Sequence, residues 1–89
     1  MNQLTKLEEG KKLLRSIRNQ RLWCMKHRKG YIESEWARKE LNNIEGALAT
    51  IKTSAEMGRF LERKETALRL LMPARNTTQH QRLRELIRS

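Results

Sequence analysis

Between Gly10 and Gly30 the chain carries eight Lys or Arg residues (Lys11, Lys12, Arg15, Arg18, Arg21, Lys26, Arg28 and Lys29), no acidic residue, and Trp23 in their midst. Side chains of these types do the chemistry of polyanion binding. Ammonium and guanidinium groups neutralise phosphates and release their counterions, so binding weakens steeply with salt. An indole adds either a platform for an unpaired base or an anchor for a protein partner. The same cations also suit an acidic protein surface, so the run defines a charge class before it defines a partner.

Other reactive residue types are too sparse to build a site. Cys24 and His27 have the C-x-x-H spacing that lets two helical side chains share a metal, but a structural zinc site takes four ligands. There is no second Cys, and His80 is far along the chain. Glu62 and Glu65 could pair as carboxylates at i and i+3, a spacing that surface charges adopt far more often than acid/base pairs do. A Ser or Cys nucleophile would need an oriented base, and neither His27 nor His80 has an evident partner. Gly10, Lys11 and Lys12 lack the spacing of a phosphate loop. The expectation is a protein that is no enzyme and has no metal or cofactor.

For the basic residues to act together, a helix must carry them. The sequence has no Val and no Asp but abundant Leu, Glu, Lys and Arg, so propensity favours helix over strand almost throughout. With four aromatic residues (Trp23, Tyr31, Trp36, Phe60), the core must come mainly from Leu and Ile. The first helix is expected over 5–29, with Gly30 as its stop. At about 100° per residue, Leu7, Leu14, Ile17, Cys24 and Met25 gather on one side. Lys11, Arg15, Arg18, Lys26 and Lys29 form a stripe on one flank, and Trp23 falls opposite Leu14 among Lys12, Asn19, Lys26 and His27. Gly10 either loosens the first turns or permits close packing.

Ser34 is a candidate N-cap for a second helix, 34–53, whose Ala37, Leu41, Ile44, Leu48, Ile51 and Ala55 alternate in steps of four and three. The phase then slips. Thr53 and Glu56 form a T-x-x-E capping box, with Gly58 a candidate bend, so a break is favoured over one long helix with a stutter. A third helix, 54–72, should end before Pro73. Ala74–Thr77 reads as a linker, and Thr78 with Gln81 as the capping box of a terminal helix, 78–88, with Leu83, Leu86 and Ile87 on one face. The fold class is all-α: one domain, a small antiparallel helical hairpin or bundle of three to four helices, which self-association into a homodimer could complete.

The formal charge of +10 is uneven. Residues 1–30 hold nine cations and two Glu, 31–58 hold three cations and five Glu, and 59–89 hold eight cations and three Glu. The acidic middle should neutralise part of its neighbours. The C-terminal set, Arg59, Arg63, Lys64, Arg69, Arg75, Arg82, Arg84 and Arg88, could extend the basic surface or pair with that middle helix. A lone Cys, no apolar leader and no membrane-length apolar stretch make the cytoplasm the expected location. Asn76, Thr77 and Thr78 match a glycosylation pattern that such a location leaves unused.

The leading expectation is nucleic-acid binding, DNA or RNA, mainly through the phosphate backbone. Lys11, Lys12, Arg15, Arg18, Lys26 and Lys29 would meet phosphates, and Trp23 would stack or anchor. No helix-turn-helix spacing points to major-groove reading. The alternative is a small adaptor or inhibitor docking the same face onto an acidic protein, such as a nucleic-acid-processing enzyme. In this the chain broadly resembles small helical accessory proteins of phages and plasmids, with no motif that names a family. Adhesion to anionic membrane is weaker, because the core needs the apolar face of the first helix.

Overall fold

A chain rich in Leu, Glu, Lys and Arg and lacking Val folds as its propensities direct. The computed structural model describes residues 3–27 and 34–89. Five helices form among them: α1 (Gln3–His27), α2 (Glu35–Thr50), α3 (Ser54–Arg63), α4 (Glu65–Leu71) and α5 (Thr77–Arg88). No strand occurs among the described residues, and none of their helices is long and apolar enough to cross a membrane. The fold is all-α, with five helices among the described residues where the sequence suggested three to four. Arg28, Lys29 and the expected stop at Gly30 lie outside the described residues.

Local chemistry sets most boundaries. The Ser34 hydroxyl accepts from the Ala37 N–H at 3.0 Å and opens α2. The Thr53 hydroxyl accepts from the Glu56 N–H at 3.1 Å and reaches the Glu56 carboxylate at 3.0 Å. Ile51 and Thr53 are extended there, so the phase slip is a true break. Gly58 lies inside α3 and makes no bend, because the extended residues before Ser54 already turn the chain.

Two boundaries differ from the sequence reading. The last helix is capped by Asn76, not Thr78: its side-chain oxygen accepts from the Gln79 N–H at 3.2 Å while its amide donates to Gln79 Oε1 at 2.9 Å. Asn is the stronger N-cap, and it has its own glutamine three residues on. The expected helix over 54–72 is interrupted at Lys64, with φ −102° and ψ 11°. Bonds from Lys64 N–H to Phe60 O (2.9 Å) and from Leu68 N–H to Lys64 O (2.8 Å) still bridge the interruption. No Gly or Pro marks it. Met72, extended before Pro73, ends α4.

α1 is the central element, with α2, α3 and α5 packed around it. Arg18 meets Glu45 at 2.8 Å, which sets the second half of α1 against α2. Gln20 meets Asn76 and Ser16 meets Gln79, so α5 runs antiparallel to α1. α3 runs with it: the buried Ser54 hydroxyl accepts from the Leu7 N–H at 3.1 Å, and Gly10 faces Met57. A Cβ at Gly10 would stand 2.5 Å from Met57 Cγ, so this glycine permits close packing. Leu14, Ile17, Ile44, Met57, Leu61, Leu68, Leu71 and Leu83 are the largest fully buried side chains. Leu13, beside the expected apolar side of α1, is buried as well, because three helices cover more of α1 than one seam could.

Candidate nucleic-acid interface

With three sides of α1 occupied, one long side is left to solvent. Lys12, Arg15, Asn19, Trp23 and Lys26 follow one another along it, all exposed. Their spacing, three or four residues at most steps, keeps them on neighbouring turns of a single face. Trp23 is 56% exposed, and its ring meets that of His27, with centroids 4.9 Å apart and planes tilted by 32°. α5 does not cover it. The hydrogen bonds from Gln79 and from the cap Asn76 reach Ser16 and Gln20, one turn and more before Trp23.

The candidate residues divide by surroundings. Lys12, Arg15, Trp23 and Lys26 are exposed on this face, and Lys11 is half-buried at its edge. Arg18 is committed elsewhere: its Nη1 pairs with Glu45 and its Nε donates to Asn19 Oδ1 at 3.1 Å. An Arg held by a carboxylate has less to offer a phosphate. Arg21 is half-buried, and Lys29 lies outside the described residues. Arg82, exposed and one turn beyond the Gln79 that bonds Ser16, extends the basic face from α5.

Cys24 is buried and His27 exposed, so the C-x-x-H pair is divided between core and surface. Among the described residues no three His, Cys, Asp or Glu gather as a metal site would need.

Three further exposed apolar side chains escaped the sequence reading: Leu22 (48% exposed), Trp36 (42%) and Leu70 (64%). Leu22 adjoins Trp23, whereas Trp36 and Leu70 belong to α2 and α4. A cleft of about 530 Å³ also opens between α2 and α3, with Arg59, Arg63 and Lys64 on one wall. Of the C-terminal cations, Lys64 pairs with the middle helix, through Glu40 at 3.3 Å. The cleft depends on how two helices meet, a property no single segment encodes. The chain matches no protein-family model, no curated protein and no solved structure.

Proposed function

We propose that this is a non-enzymatic protein that binds nucleic acid on the outward face of α1, mainly through the phosphate backbone. Lys12, Arg15 and Lys26 meet phosphates, with Lys11 and Arg82 at the margins, and Trp23 stacks on an unpaired base. The observation that carries the reading is Trp23: the residue is more than half exposed, in line with three exposed cations. Burying an indole in the core would have cost the chain nothing in charge, yet it is turned toward solvent beside the ammonium groups. A monomer or a homodimer in the cytoplasm could present this face.

A gel shift at low salt with single-stranded DNA, duplex DNA and RNA tests it. Binding should favour the single strands, and Trp23→Ala should cost about 1–3 kcal/mol of that affinity, the worth of one stacked base. No shift with any of the three at micromolar protein would end the proposal. The competing reading, an adaptor that lays this face on an acidic protein, draws on Leu22, an apolar neighbour of Trp23 for which a phosphate backbone has no use.

A further inference from the structure

Where α5 lies along α1, two side-chain bonds cross the seam. Asn76 donates to Gln20 Oε1 at 3.2 Å, and Gln79 donates to the Ser16 hydroxyl oxygen. From the first bond to the second, α1 steps back four residues and α5 forward three, about one turn on each helix. One further turn brings Lys12 level with Arg82, and the next brings Glu8 level with Glu85. All four are exposed, while Leu13 and Leu83, beside the two cations in sequence, are buried in the core. The rim of the seam therefore passes from hydrogen-bonded neutral pairs to a pair of cations, and then to a pair of carboxylates.

The pair of cations is the step that packing does not account for. Like charges level with each other on two helices repel, and neither Lys12 nor Arg82 has a carboxylate partner among the described residues. Packed helices stand roughly 8–10 Å apart, so two long side chains rooted on them can hold one phosphate between an ammonium and a guanidinium. Glu8 and Glu85 close that end of the lane, because carboxylates repel a phosphate chain. In the other direction the lane leads to Trp23, eleven residues along α1 from Lys12 and on the same outward face. That separation is about 16 Å, which a strand of roughly four nucleotides spans while placing one base on the indole. Cations and an aromatic ring in one lane suit a ligand that alternates phosphates with stackable rings.

We infer that a single nucleic-acid strand crosses this seam, with one phosphate held between Lys12 and Arg82, and that its binding clamps α5 onto α1. The inference rests on the α1 reading and adds to it a minimum strand length and an effect on the fold. A ligand that touches both helices favours the state in which they are docked. α5 is the helix to respond, since the Gln79 bond at its rim is exposed and water can replace it.

Oligothymidylates from dinucleotide to decanucleotide, titrated at low salt into the full chain, test it together with hydrogen exchange. Affinity should rise steeply up to roughly four nucleotides and afterwards only with the number of binding registers. A saturating hexanucleotide should slow exchange in α5 several-fold more than in α2, which the strand does not touch. Arg82→Gln should remove that difference and lower the slope of log affinity against log salt by about one. Arg84→Gln removes the same charge from another flank of α5 and should leave both readouts as in the parent. Both arginines are exposed, and circular dichroism checks that each variant keeps its helices. If the oligonucleotides bind but exchange in α5 only follows α2, or the two Gln variants behave alike, the α1 reading stands and the clamp is overturned. If none binds, both fall. Polyglutamate that slows α5 exchange as the hexanucleotide does would overturn the clamp in favour of an acidic protein ligand.

Discussion

Two glycines in helices behave oppositely because their surroundings differ. Gly10 is buried against Met57, so a methyl group there must push a fully buried side chain aside. Gly46 has nothing within 4 Å of an added Cβ. Gly10→Ala should therefore lower stability by about 1–3 kcal/mol despite the better helix former. Gly46→Ala should raise it by up to about 1 kcal/mol; urea titration of the two variants checks both signs. Arg18 shows the limit of reading single residues. Its place on the basic flank was legible from a helical wheel, but its carboxylate partner is Glu45, on a helix whose register only the folded chain determines. Trp23 was more legible, because its angular distance from Leu14 already put it outside the core.

Helix ends were readable where one side chain decides them. Ser34 and Thr53 announced α2 and α3 because a hydroxyl before a free N–H has few other uses. The cap of α5 was misplaced by two residues, since Asn76 with Gln79 and Thr78 with Gln81 offer competing boxes and the intrinsically better cap wins. Asn76→Ala should thus cost about 0.5–2 kcal/mol, whereas Thr78→Ala should be nearly neutral in thermal unfolding. The interruption at Lys64 had no local signal, and nothing in the structure explains it.

At the scale of the whole molecule, the net charge of +10 overstates the cations available on any one face. Arg18 and Lys64 are spent on Glu45 and Glu40. If the α1 face binds nucleic acid, Lys12→Gln and Lys26→Gln should each reduce the slope of log affinity against log salt by about one. Arg18→Gln should leave that slope nearly unchanged, and titrations at several salt concentrations distinguish the two classes.

The central position of α1 also has a consequence for synthesis. The helix made early in the chain takes one of its partners, α5, from the last stretch, with Ser16 and Gln79 joined across 63 residues of sequence. Until α5 emerges, the sides of α1 and α3 that it packs on stay open. Hence a ribosome paused within α4 would hold a nascent chain with an open apolar flank, prone to sticking to other chains, and this five-helix packing would form only once α5 is made.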